Sequence, residues 1–420
     1  MSSVPSTATA GTGARRDGPA GGRTPILTRP FLALLVAGFT ALLGFTLLLP
    51  VVPLYAATAG ASAAVAGLTT GALMLATVVA ELVVARLLAA FGYRAVLVAG
   101  VLLLTVPTVS LAVSDSIPLI LAVSLTRGAG LGIVVVLGTA LAAELAPAAR
   151  RNEALGLYGL AVGIPWIVGL PLGMWLVDRV GFAPVFVVAA VCSLVGLVAM
   201  PWVPVRRVAV DRRHRGVLGG LRTGGLRRQV LIFAATTLAA GVFVTFLPLA
   251  LPAGTGDLAA WALFAQAGAA PVTRWLAGRI GDRLASPRPL LVPSVLVAAV
   301  GASGAVWLDS PVAVLVGMAL FGAGFGAAQT VTLALMLRRV SRSGFGQVSA
   351  LWNLAYDGGM GIGAVGFGLL VGPVGYPVGF AVVAAVIFAA VWLAWRDGAL
   401  DETPEPAEVR STTTTETRHA

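Results

Sequence analysis

Polar and apolar positions do not alternate along this chain. From Phe31 onward, apolar residues run in long blocks separated by short polar breaks. Twelve blocks stand out, at 31–56, 64–88, 95–113, 117–143, 154–177, 183–203, 229–251, 258–280, 289–308, 312–337, 347–371 and 376–395. Such blocks predict helices, and about 20 residues of helix are what a ~30 Å hydrocarbon core requires. Lipid offers no partner to a backbone N–H or C=O, so only helices or closed barrels cross it. With no strand-like period of two, the pattern predicts an all-α polytopic membrane protein with twelve transmembrane helices.

Composition agrees. Of the 420 residues 58% are hydrophobic and 11% charged, against about 25% charged in soluble domains. The net charge is +11, and all 28 basic residues are arginine. In a soluble chain that balance would suggest nucleic acid. Here the arginines fall mostly between the apolar blocks and report topology, so no nucleic-acid partner is expected. With a cytoplasmic amino terminus, 26 of the 28 arginines are assigned to the inner side. Arg179 falls in an outer loop and Arg127 deep inside a span, while Asp115, Asp178, Asp257 and Asp309 occupy outer loops. The positive-inside rule then puts both termini in the cytoplasm, in a plasma or inner membrane. Cys192 is the single cysteine and cannot form an internal disulfide. His214 and His419 lie outside the apolar blocks, so no metal site and no cofactor is expected.

The loop at 205–228 carries eight arginines and divides the spans six and six. The halves repeat: an offset of 194 places Gly128-Ala-Gly-Leu-Gly132 on Gly322-Ala-Gly-Phe-Gly326, Gly169 on Gly363, Gly181 on Gly375, Phe186 on Phe380 and Arg94 on Arg288. The expected organisation is a disordered tail (1–28), a six-helix bundle (29–204), a basic linker (205–228), a second homologous six-helix bundle (229–395) and a disordered tail (396–420). Two homologous bundles suit a machine that rocks one half against the other around a central site.

Three motifs, with the twelve-span plan and the basic central loop, resemble the major facilitator superfamily across residues 31–395. Gly278-Arg-Ile-Gly-Asp282-Arg283 is similar to the family's G-x-x-x-D-R loop; Ala285 stands where a further glycine is usual, and the first half has Leu88 or Ala89 at the acidic position. The resemblance implies that Gly278, Asp282 and Arg283 form a loop that holds one conformation shut. Arg127-Gly-Ala-Gly-Leu-Gly132 is similar to the family's fourth-helix arginine and glycines, with Leu131 at the usual glycine position. The fifth span, with Gly159, Gly163, Gly169, Pro171 and Gly173, resembles the glycine- and proline-rich helix of proton-antiporting exporters, with Leu170 splitting the usual Gly-Pro pair. Gly128, Gly130, Gly132, Gly169, Pro171 and Gly173 also suit close helix packing.

A charge inside a span is costly and marks a candidate site. Arg127 and Asp357 each lie about ten residues into their spans, ~15 Å deep at about 1.5 Å per residue. Glu81 lies nearer the inner end. Asp357 is the first candidate for carrying a proton, and Glu81 the second unless it reaches inner water or pairs with Arg86. Arg127 would contact an anionic part of the substrate or act as a charge partner. Both Asp357 and Arg127 could instead be structural. Asn353 shares a helix face with Asp357. Tyr356, Gln329, Gln266, Trp166 and Tyr55 complete the expected cavity, which few polar groups and many apolar walls would suit to a moderately hydrophobic solute.

No phosphate-binding G-x-x-x-x-G-K loop exists, and there is no lysine to build one. The expected function is therefore secondary transport, not enzymatic chemistry: export of a small organic molecule by proton antiport. Uptake or uniport of a sugar or metabolite is the alternative. The expected partners are the substrate, protons and membrane lipid, with the protein a monomer.

Overall fold

The computed structural model describes residues 26–147, 150–205, 224–252, 256–284, 286–341 and 344–401. Of the expected tails, 1–25 and 402–420 lie outside the described residues, as does 206–223 of the linker. Among the described residues there are twelve α-helices and no strand. They are α1 (Arg29–Leu48), α2 (Val51–Thr58), α3 (Ala63–Val109), α4 (Ile117–Leu145), α5 (Arg151–Val180), α6 (Phe182–Val198), α7 (Gly224–Ala250), α8 (Gly256–Arg283), α9 (Leu291–Ser303), α10 (Pro311–Arg338), α11 (Phe345–Val374) and α12 (Tyr376–Asp401).

Local chemistry explains the starts and breaks. Thr28 caps α1 by accepting from the Phe31 N–H, and Ser62 caps α3 by accepting from the Val65 N–H. Pro50 follows the end of α1, and the chain resumes as α2 to complete the first crossing. α3 contains two crossings joined at Gly92, whose φ of 78° suits glycine best. Gly181 between α5 and α6 (φ 77°) and Gly375 between α11 and α12 (φ 78°) make the same kind of joint 194 positions apart. Ten stretches are long and apolar enough to cross a membrane; the longest, Ala63–Ala112, holds the two crossings of α3. α8 is the twelfth crossing, made more polar by Asp257, Arg274, Arg279, Asp282 and Arg283.

The repeat is visible in the packing. A methyl group on Gly128 would lie 1.9 Å from the Leu73 carbonyl oxygen, and one on Gly322 2.1 Å from that of Gln266. Gly130 presses on Gly100 and Leu104, Gly324 on Ser294 and Ala298. Gly132 meets the Thr77 carbonyl and Gly326 that of Ala270. Small residues let these helices approach backbone to backbone, which is how helices gain van der Waals contact where lipid supplies no hydrophobic drive. Gly169 and Gly173, on either side of Pro171 in α5, likewise abut Thr46 and Leu47 of α1. The fold is thus two homologous six-helix bundles, α1–α6 and α7–α12.

One face of the molecule carries the arginine-rich helix ends, the other Asp115, Asp178, Asp257 and Asp309. The bundles meet toward this acidic face. There Gly67 of α3 sits under the Ala364 carbonyl of α11, and Gly71 against Val365. Thr70 and Thr245 share a hydroxyl hydrogen bond of 2.9 Å between α3 and α7. Arg179 of α5 reaches Asp257 of α8 at 3.3 Å, with both side chains exposed.

At the basic face the second bundle has a clasp. Asp397 is buried and accepts from Arg228 (2.5 Å), Gln229 (2.7 Å) and Arg339 (2.9 Å). Two expected boundaries therefore move. α7 begins at Gly224, so Arg227 and Arg228 belong to a helix and not to the linker. α12 runs on to Asp401, so Arg396 and Asp397 are not part of a disordered tail. The clasp gives α12 a polar anchor beyond its apolar block.

A candidate substrate cavity between the bundles

Between the bundles lies a cavity of about 220 Å³. From the first bundle, α3 contributes Thr77 and Glu81, α4 contributes Thr139, and α5 contributes Tyr158 and Trp166. From the second, α8 contributes Arg274, α10 Gln329, and α11 Trp352, Asn353, Tyr356 and Asp357. A second space of about 130 Å³ shares Trp166, Arg274, Gln329 and Tyr356 with the first and adds Gly163, Gln266 and Phe325. Because Trp166, Arg274, Gln329 and Tyr356 line both, the two spaces form one site.

Its walls are mostly apolar and aromatic. Trp352 stacks on Phe233 with ring centroids 4.5 Å apart, and its Nε1 donates to the Thr332 hydroxyl at 3.4 Å, which fixes the ring. Tyr356 lies 6.1 Å from both Phe233 and Phe325. Trp166 meets Phe45 edge-on at 6.0 Å.

Polar side chains are set among them. Asp357 is 9% exposed and forms no hydrogen bond or ion pair among the described residues. Glu81 lines the same cavity from the opposite bundle. Glu81 does not pair with Arg86, which is exposed. The buried Oε1 of Gln266 also has no hydrogen-bond partner among the described residues, so the cavity presents an unused acceptor. A site of this kind can bind a solute with an apolar body and one or two polar groups.

Seven of the residues expected from the sequence come together here: Asp357, Glu81, Asn353, Tyr356, Gln329, Gln266 and Trp166. Two do not. Tyr55 donates to the Leu111 carbonyl at 3.0 Å and packs on Phe182 and Phe186, inside the first bundle near the acidic face. Arg127 is 1% exposed, donates to the Phe45 carbonyl at 3.1 Å and lies 5.7 Å from the Phe45 ring centroid. Its Nε and Nη1 have no hydrogen-bond partner among the described residues. Arg127 shares a helix face with the cavity residues Leu131, Val135 and Thr139, but it lies one turn beyond them, where Phe45 closes the space.

Arg274 is the residue the sequence pattern hid. It lies inside the expected span 258–280 but disappeared into the count of inner arginines. It lines both parts of the cavity. At the offset of 193 that relates Leu73 to Gln266 and Thr77 to Ala270, Arg274 is the counterpart of Glu81. That register was the available signal.

Gly278 and Asp282 occupy the last turns of α8, not a loop. Asp282 and Arg283 are exposed, and Asp282 makes no ion pair among the described residues.

Comparison with known proteins fits this arrangement. Among solved structures, the chain is similar to a D-xylose–proton symporter (TM-score 0.73, 15% identity, covering 89% of this chain and 98% of that one). It is also similar to a bacterial homologue of the human lysosomal transporter Spinster, in an inward-facing and unoccupied conformation (TM-score 0.75, 15% identity, 92% and 100%). These likenesses concern the fold. In sequence it is 26% identical over 181 residues to the uncharacterised MFS-type transporter YcnB of Bacillus subtilis (strain 168), covering 42% of this chain and 38% of YcnB. It is 28% identical over 181 residues to the inner membrane transport protein YajR of Escherichia coli (strain K12), covering 43% and 39%. The matched region spans about two fifths of these relatives' length. The Major Facilitator Superfamily profile matches residues 34–254 and again 230–419. With both halves matched, this multi-pass membrane protein is a transporter and not an enzyme, and it belongs to the Major Facilitator Superfamily.

Proposed function

We propose that this transporter exports a small, moderately hydrophobic organic molecule in exchange for protons. It sits in the cell membrane with its arginine-rich face toward the cytoplasm. The observation that carries the reading is Asp357: a buried carboxyl on the cavity wall, without a fixed partner among the described residues, in a cavity that Glu81 also lines. A carboxyl in that setting can hold a proton or a cationic group of the solute, but not both at once. Binding of solute and binding of protons therefore compete, which is the requirement for antiport. The aromatic wall of Trp166, Trp352 and Tyr356 suits a solute with a substantial apolar body. The described fastenings between the bundles lie near the acidic face, and a cavity that opens on the other side would be offered to the cytoplasm, where an exporter loads.

The test is a solute panel in proteoliposomes with an imposed pH gradient. Asp357→Asn removes the exchangeable proton and keeps the shape. Accumulation driven by the gradient should vanish while solute exchange without a gradient persists. Full gradient-driven accumulation by the variant would leave Asp357 a structural role only. Uptake with the proton flow would favour the permease alternative.

A further inference from the structure

Trp166, Arg274, Gln329 and Tyr356 stand where the two parts of the central cavity join. Each carries a hydrogen-bond donor: an indole N–H, a guanidinium fork, an amide NH₂ and a phenol O–H. Among the described residues, none of these side chains is hydrogen-bonded or ion-paired to the protein. The backbone beneath them is fixed all the same. The Thr330 hydroxyl donates to the Arg274 carbonyl at 3.2 Å, which holds α8 against α10 beside Gln329. A guanidinium inside a span is costly without an anion, and arginine keeps its charge in proteins. The junction therefore presents converging donors to an anion that the protein does not itself supply in this conformation.

The spaces on either side of the junction differ. The smaller has mostly apolar walls, among them Leu170, Val244, Phe325 and Met360. The larger carries the carboxyls of Asp357 and Glu81, with Asn353 beside them. An ionised carboxylate only accepts, so these walls suit an ammonium as Arg274 suits a carboxylate. An apolar chamber, a donor junction and an acidic chamber thus follow one another through the site.

The geometry points to a three-point site for an amino-carboxylic acid with an apolar side group. Arg274 holds the carboxylate at the junction, with Gln329, Tyr356 and Trp166 as further donors. The side group enters the smaller space. The ammonium faces the acidic wall of the larger one and takes the place of a proton on Asp357. A sugar leaves the guanidinium uncompensated, and so does a simple organic cation. The inference rests on the proposed export function and names its substrate class as a zwitterion, with Arg274 as the residue that sets it.

The test uses the full chain and three ligands with one body: L-phenylalanine as the zwitterion, 2-phenylethylamine as the cation and 3-phenylpropanoate as the anion. Calorimetry on the purified protein reads the binding of each. Wild type should bind phenylalanine at least about tenfold more tightly than either analogue, the effect of losing one charge-assisted hydrogen-bonded contact. Arg274→Gln should erase the preference over phenylethylamine and keep that over phenylpropanoate; Asp357→Asn should do the reverse. Arg274→Lys, with the charge but no fork, should fall between wild type and Arg274→Gln. Equal weakening of all three ligands by Arg274→Gln would mean a structural role and overturns the inference. So does a wild-type protein that binds phenylethylamine as tightly as phenylalanine, or does not bind phenylalanine, and neither result depends on a variant that folds. Flux in proteoliposomes, above that of protein-free vesicles, separates this inference from the export reading. pH-driven export of phenylalanine in preference to phenylethylamine supports both. pH-driven export of the cation without that preference overturns the zwitterion and leaves export standing. Selective binding and exchange of phenylalanine with no pH-driven flux supports the three-point site and defeats proton-driven export.

Discussion

The two bundles share packing and differ in chemistry. Gly128, Gly130 and Gly132 in α4 do what Gly322, Gly324 and Gly326 do in α10, each against the backbone of a corresponding neighbour. Where the bundles face the cavity, correspondence ends. Asp357, Tyr356 and Asn353 of α11 stand at the positions of Gly163, Val162 and Gly159 of α5. Gln329 stands at the position of Val135, and Arg274 at that of Glu81. Positions that set backbone distance are under the same steric constraint in both halves. Positions that line the cavity are free of it, and there the second half has taken most of the polar load. The cavity is therefore asymmetric although the scaffold is not, which lets a pseudo-symmetric machine carry a single set of binding groups.

The comparison can be broken most severely at the shared packing. Gly130→Leu and Gly324→Leu should be comparably damaging, because each drives a side chain into backbone atoms of the adjacent helix. Overpacking usually costs about 1–3 kcal/mol, and here the obstacle is main chain, so most of the folded yield should be lost in both, by size-exclusion and thermal unfolding. A large effect in one half only would show that the halves do not share their packing rule. A sharper probe is charge exchange at the matched pair. Arg274→Gln and Glu81→Gln should each reduce gradient-driven flux several-fold, roughly 1 kcal/mol in rate terms, and less than Asp357→Asn does. The double exchange Glu81→Arg with Arg274→Glu should recover part of that flux if the cavity needs one of each sign and not a particular bundle for each; no recovery would show that the side matters. The smallest effect is expected at the end of α8. Asp282→Asn should leave thermal stability within about 0.5 kcal/mol, as surface changes do, and lower turnover through a conformation other than this one. Unchanged turnover would reduce Gly278–Arg283 to an ordinary helix end.

Depth was legible in the sequence; direction was not. A crossing needs a length, and the lengths of the apolar blocks gave the spans, the six-and-six division and the depth of Asp357 and Arg127. Which way a residue faces is normally told by a polar stripe on one side of a helix. Here lipid on one side and packed protein on the other are both apolar, so the stripe is missing. Asp357 and Asn353 could still be paired because both are polar and four apart. Arg127 turned out to be sealed inside the first bundle against Phe45, and Tyr55, nearer the acidic face, packs on Phe182 and Phe186. Arg274 was hidden by the opposite fault, since a charge near the inner end of a span reads as part of the loop. The Asp397 clasp was invisible for a third reason: its partners come from helix ends 58 and 169 positions away, and hydropathy carries no information about pairing.

The closure toward the acidic face has an energetic consequence. Among the described residues its polar fastenings include a threonine–threonine hydrogen bond and an exposed ion pair. The first is worth roughly 0.5–1.5 kcal/mol net and the second about 0–1. A latch of that size is a few times thermal energy. The glycine contacts beside it are close but carry no hydrogen bond between side chains. A solute that binds the alternative arrangement better by only ~2 kcal/mol would match the latch, and a ligand can move such an equilibrium by no more than its differential affinity. The polar part of this closure is thus small, and what holds the face shut is chiefly the packing of α3 on α11 and the apolar residues around it.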